Sequence, residues 1–90
     1  MRIEFDPAKD ETNRRKHGIS LQAADGFDWD TALEREDDRF DYGEARFITA
    51  GHLGGRLVVM VWTQRGEARH IISMRHCHAN EEEIWLRRMG

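Results

Sequence analysis

At 90 residues the chain is expected to form one domain, 1–90, because single hydrophobic cores usually occupy about 100–150 residues. A hydrophobic fraction of 39% beside 34% charged residues excludes a disordered tail, and no apolar run approaches the ~20 residues of a membrane span. The net charge of −3 hides a block structure: residues 25–44 hold nine acidic and two basic groups (net −7), while residues 45–90 hold seven arginines, no lysine and four glutamates (net +3).

Arginine without lysine suits bidentate phosphate contacts. An arginine-rich face beside an acidic segment fits RNA on one side and a basic protein on the other, although ordinary solvated charge explains the same composition. The one cysteine, Cys77, has no partner for an internal disulfide, and Met1–Asp6 lacks the apolar stretch of a secretory signal. Both point to the reducing cytoplasm.

Arg2–Phe5 alternates and reads as a short edge strand. Asp6-Pro7 supplies an N-cap and then a proline at the first helical position, where no backbone N–H is needed. The helix so opened runs to Lys16-His17-Gly18, with cations at its negative end and glycine at the C-cap. Between Ala8 and His17 almost nothing is apolar, so this helix lacks a stripe for packing on its own core. It either lies across the surface or serves a partner or ligand through Asn13, Lys16 and His17.

Ser20 caps a second, shorter helix with Leu21, Ala24 and Phe27 along one face, ended by Asp28–Asp30. Thr31–Glu36 reads as extended and Asp37–Gly43 as a polar loop. Three runs then form a meander, Ala45–Gly51, Leu57–Thr63 and Arg69–His76, turning at Gly54-Gly55 and Gln64-Arg65-Gly66. Leu57–Thr63 is near-continuously apolar, the pattern of a central strand covered on both faces. A last helix starts at Asn80, with Glu83 in the reciprocal capping position and Ile84, Trp85 and Met89 as its apolar side. The order predicts an α+β domain: an antiparallel sheet of the three-strand meander plus the N-terminal edge strand, two N-terminal helices and one C-terminal helix.

The elements of this order that carry a resemblance are Phe5-Asp6-Pro7-Ala8-Lys9, Asn13 with Lys16-His17-Gly18, Ser20, and Gly43-Glu44-Ala45-Arg46-Phe47-Ile48. Further on come Gly51, Gly55-Arg56-Leu57-Val58-Val59, Thr63 with Arg65-Gly66, and Arg69-His70-Ile71-Ile72-Ser73-Met74-Arg75. In order and spacing the chain resembles the BrnT family of bacterial toxins. That resemblance implies a RelE-like fold and a metal-independent endoribonuclease that inhibits translation and growth, with no cofactor. It also implies a BrnA-type antitoxin with a ribbon-helix-helix DNA-binding part, a toxin–antitoxin heterotetramer, and contact with operator DNA only through that partner. The chain departs from the family pattern at His70, where arginine is usual, at His76-Cys77-His78, where lysine, alanine and threonine are common, and at Glu81–Glu83, where the family carries several basic residues at the start of the last helix. These departures motivate a second reading, a catalytically weak member that remains an antitoxin-binding module or co-repressor.

Metal-independent RNA cleavage needs a base for the 2′-hydroxyl, cations for the phosphorane and an acid for the leaving 5′-oxygen. Arg75 is the first candidate for charge stabilisation; strand alternation sets Ser73 beside it and Arg69 further back on the same face. Arg46 is expected across the sheet from them, with Arg65 as a further RNA contact. Salt bridges to Glu44, Glu67 or the last helix are the plainer fate of these arginines. His76 is the acid or base by residue type, and Glu44 is the alternative base. Lys16 and His17 are candidate RNA contacts, though His17 also fits a helix-end role.

No metal site is expected. His76 and His78 share a parity, but His70 lies about 20 Å along an extended strand. Trp62 and Trp85 read as core, while Trp29 is open to a role as a partner anchor. There is no glycine-rich phosphate loop, nucleophile elbow or basic recognition helix.

Overall fold

A computed structural model describes residues 2–89 apart from the Met89 side chain, so the expected contribution of Met89 to an apolar helix face lies outside the described residues. The elements are β1 (Arg2–Phe5), α1 (Pro7–His17), a 3₁₀ helix (Leu21–Gly26), β2 (Leu33–Glu36), β3 (Phe47–Leu53), β4 (Arg56–Arg65), β5 (Ala68–His76) and α2 (Ala79–Met89). The strands form one sheet in the order β1-β5-β4-β3-β2. Strands β2 to β5 pair antiparallel, but β1 runs parallel to β5. The sheet is therefore mixed, not antiparallel throughout, and the extended segment before Asp37 becomes a fifth strand at the far edge.

The parallel pairing follows from what α1 must do. Strand β1 covers β5 only from Ala68 to Ile71, leaving the second half of β5 with an open edge. Because the two strands run the same way, the helix that continues from β1 lies alongside that edge. Asn13, 3% exposed, closes it. Its Nδ2 donates to the carbonyls of Met74 (2.8 Å) and Ile19 (2.9 Å), and its Oδ1 accepts from the Met74 N–H at 3.0 Å. One amide thus stands in for a strand residue, satisfying backbone groups that burial would otherwise leave unpaired. A helix without an apolar stripe is held here by a polar clamp.

Both ends of α1 are capped as the sequence indicates. Asp6 accepts from the Ala8 N–H at 2.9 Å, and Gly18 takes the left-handed conformation (φ 70°) with its N–H on the Arg14 carbonyl. Asp10 then ties α1 to the next element, accepting from the Ser20 hydroxyl (3.0 Å) and the Leu21 N–H (2.6 Å). That element is a 3₁₀ helix, where an α-helix was expected; two α-helices, not three, occur among the described residues. Leu21, Ala24 and Phe27 recur every three residues, the period at which side chains eclipse in a 3₁₀ helix. They cover one face of the sheet, packing on Val58, Met60, Trp62, Ile71 and Met74. Phe27 comes so close to β3 that a Cβ on Gly51 would sit 2.8 Å from its ring.

The opposite face of the sheet is largely open. Helix α2 crosses one end of it, anchored by Trp85, which is 7% exposed and donates its indole N–H to the Ala50 carbonyl at 3.2 Å. Its N-terminus is fixed by Glu81, whose carboxylate takes both Arg75 guanidinium nitrogens at 2.7 and 2.8 Å and reaches back to the His78 N–H at 2.8 Å. Glu81 thus fills the reciprocal capping position assigned to Glu83, and the helix starts one residue earlier than Asn80. Ile84 and Leu86 stay exposed.

Two outcomes are expected. Asn13→Ala orphans two carbonyls and an N–H at once, so urea denaturation should show a loss of about 3 kcal/mol; a loss below about 1 kcal/mol would contradict the clamp. The hydrogen bonds from Arg75, joined by the His78 N–H, hold the Glu81 carboxyl near pH 2, against an ordinary value of 4.5. A depressed carboxylate contributes stability above its unfolded value and loses it as pH falls through the folded one. The stability difference between the parent and Glu81→Gln should be full at pH 6, shrink from about 4.5 downward and vanish near 2. A difference that stays constant over that range argues against the pair.

Candidate active site

Register places the chemistry of the open face in three rows. In the first, Leu33, Ala50, Val59 and Arg75 lie side by side across β2, β3, β4 and β5. In the second stand Arg35, Ile48, Val61 and Ser73. The third begins where Asp37 donates its N–H to the Arg46 carbonyl at 2.7 Å, and Thr63 donates its hydroxyl to the Ala45 carbonyl at 2.6 Å. It continues through the pairs Thr63–His70 and His70–Glu4.

The middle of this face is a cleft. Ile48, Val59 and Val61 form its apolar floor, and His17, Arg35, Arg39, Ser73, Arg75 and Glu81 line it. The strand that the sequence suggests is covered on both faces is covered on one; its other face is the cleft floor. Cations over a low-polarity floor make a setting in which their attraction for an anion is less screened than in open water.

Arg75 is held through both terminal nitrogens by one carboxylate. Its two hydrogen bonds to Glu81 raise its already high affinity for the proton. Arg39 belongs to a tighter unit. Its Nε and terminal nitrogen donate to Asp37 at 2.7 and 2.9 Å, and the Tyr42 hydroxyl donates to the same carboxylate at 3.0 Å. These bonds, Arg39's first, keep the buried Asp37 carboxyl well below the usual carboxylate range. Arg46 lies over the Tyr42 ring at 4.0 Å, a cation–π contact, and its Nε is 3.8 Å from Glu44. Glu44 also reaches Arg65 at 3.5 Å. Glu44, Arg46 and Arg65 are therefore one group at the end of the face away from α2.

Several sequence-predicted residues fall elsewhere. Strand β5 carries a bulge: Ser73 pairs with Val61 but Ile71 pairs with Trp62, so Ile72 is extra. One extra residue reverses parity, and Arg69 leaves the face of Ser73 and Arg75 to which alternation assigned it. Its guanidinium lies over Trp29 at 3.7 Å and near Trp62 at 5.3 Å, on the packed side. Trp29 is in turn edge-on to Phe27 and Trp62, part of the core margin. His76 pairs with Val58, on the core face, so the structure does not bring it to Arg75. His17 lines the cleft, whereas its neighbour Lys16 does not. Burial pushes the Cys77 thiol up to about 11, which leaves it a poor nucleophile at neutral pH.

Arg35, Arg39 and Glu81 are cleft residues that sequence reasoning missed. The signal for Arg35 was the alternation Leu33-Glu34-Arg35-Glu36, which puts Leu33 and Arg35 on one face and both acids on the other. Arg39 offered no such signal, because it lies in a loop whose shape depends on Asp37.

A family model described as a ribonuclease toxin, BrnT, of type II toxin–antitoxin systems matches residues 5–81. The fold is similar to the crystal structure of the Brucella abortus ribonuclease toxin BrnT, with a TM-score of 0.71 and 26% identity over 87% of this chain and 97% of that one. No curated protein matches the chain. The family match takes in all six side chains that ring the cleft floor. The chain belongs to the BrnT family of ribonuclease toxins of type II toxin–antitoxin systems.

Proposed function

We propose that this chain is a metal-independent endoribonuclease that cuts cellular single-stranded RNA on the open face of its sheet. The observation that carries the reading is the convergence of Arg35, Arg39, His17 and Arg75 on one cleft, with Ser73 at its wall. Guanidinium groups match phosphate oxygens in geometry and keep their charge at any physiological pH. Charge placed in advance where the phosphorane develops is the largest contribution such a site makes. Arg75 is assigned to that charge. Arg46, with Glu44 and Arg65 beside it, binds the neighbouring stretch of the RNA backbone. Charge stabilisation is assigned to arginine because the guanidinium stays charged at physiological pH and matches phosphate geometry.

Reaction at Arg75 requires phosphate to displace Glu81. The same ion pair favours a second reading, in which Glu81 neutralises Arg75 for good and the chain acts as an antitoxin-binding module or co-repressor. In either case the partner is a BrnA-type ribbon-helix-helix antitoxin that covers the arginine-bearing face within a heterotetramer in the cytoplasm. Operator DNA is then touched only through that antitoxin. No helix among the described residues is long and apolar enough to cross a membrane.

The test is cleavage of a single-stranded RNA in EDTA by the full chain freed of antitoxin, beside Arg75→Ala and Arg46→Ala. Arg75→Ala should lose on the order of 10²- to 10³-fold in rate, the usual effect of removing one transition-state donor. Arg46→Ala should raise KM more than it lowers kcat. A folded parent that cleaves nothing supports the binding-module reading.

A further inference from the structure

The bulge at Ile72 that removes Arg69 from the open face brings another titratable side chain onto it. His70 pairs with Thr63, which lies on the face of Val59 and Val61, so His70 shares that face with Ser73 and Arg75. Regular alternation along β5 would have put it on the side of Met74 and Val58.

Its surroundings are unusual for a side chain on an open sheet face. The imidazole is 16% exposed, and its Nδ1 is buried with no hydrogen-bond partner. The nearest charged atom is the Glu4 Oε1, 3.6 Å from that nitrogen, on the strand paired with β5. Other charged groups share the face. Arg2 is 3.9 Å from Glu4 on β1, Arg65 is on β4, Arg46 and Glu44 are at the entry to β3, and Arg75 lies further along β5. A histidine next to one carboxylate and facing several guanidiniums has the parts of a base. The carboxylate stabilises the imidazolium that forms, and the arginines draw in the phosphate whose neighbouring hydroxyl is to be deprotonated.

We propose that His70 is the general base of RNA cleavage and that Glu4 is its positioning residue. The inference rests on the ribonuclease reading above. In the step proposed, neutral His70 takes the proton of a ribose 2′-hydroxyl, and the 2′-oxygen forms a bond to the adjacent phosphorus. The bond from phosphorus to the 5′-oxygen breaks, and that oxygen takes a proton from water. The products are a 2′,3′-cyclic phosphate and a 5′-hydroxyl end; the imidazolium returns its proton to solvent. The charge of the phosphorane falls to Arg75 and its neighbours.

The experiment is the pH dependence of kcat/KM for a short RNA, measured from pH 5 to 9 in EDTA on the full chain, His70→Gln, Glu4→Gln and His76→Gln. The parent is expected to rise through the imidazole range. His70→Gln should lose on the order of 10²-fold and that rise together. Glu4→Gln should lower kcat with KM little changed, a split that a merely structural Glu4 would not produce. His76→Gln, on the other face, should keep the parent profile. Because His70 is mostly buried, His70→Ala with added imidazole gives a second arm, in which partial rescue supports the proposal whatever the variant's stability. An active parent with His70→Gln within about threefold and an unchanged profile overturns the role of His70 alone, since a general base contributes at least 10²-fold. A rate that falls through neutrality, with the fall lost in His70→Gln, overturns the base assignment. A parent inactive at every pH overturns the ribonuclease reading itself.

Discussion

The structure depends on how the edge of β5 is closed. A four-residue β1 cannot pair with a nine-residue β5 along its length, and an unpaired buried strand edge is costly. Asn13 closes it with three hydrogen bonds, two to the backbone of Met74 and one to the carbonyl of Ile19. This contact fixes α1 beside the sheet and not across its open face. It thereby sets the end of the helix, with His17, at the rim of the cleft. It also anchors the backbone at Met74, one residue from both Ser73 and Arg75.

The second constraint is electrostatic. The acidic block between residues 25 and 44 does not stand as a uniform repelling surface. Asp37 is buried and holds Arg39, Glu34 accepts from Thr49 at 3.1 Å on the core side, and Glu44 is spread between two arginines. Asp28 is bound by the Thr31 hydroxyl at 2.7 Å. Several of the acids thus position local structure or arginines, and the two basic residues of the block both reach the cleft. An acidic chain thus carries several of its arginines together on one face.

Much of the frame was legible in the sequence. The capped α1, the three-strand meander, the central position of Leu57–Thr63 and the burial of Trp62 and Trp85 all follow from local patterns of caps, turns and alternation. Three features were not. The 3₁₀ helix was hidden because a spacing of three fits both helix types over so short a run, and the Asp10 bonds to Ser20 and Leu21 that fix its start come from another element. The parallel placement of β1 depends on Asn13 meeting Met74, a contact 61 residues apart. The face of each β5 residue turns on the bulge at Ile72, which no residue in Arg69–His76 announces. A single inserted residue was enough to exchange Arg69 for His70 among the side chains of the open face.

In the proposed function RNA binds the open face of the sheet. The most direct test is an amide chemical-shift titration of the full chain, freed of antitoxin, with a short 2′-O-methyl RNA that cannot be cleaved. The shifts should concentrate at Arg35, Arg39, Arg46, Ser73 and Arg75, with His17 and His70 at the margins. Shifts confined to the exposed side of α1, to the outer edge of β2, or to the far end of α2 would contradict it.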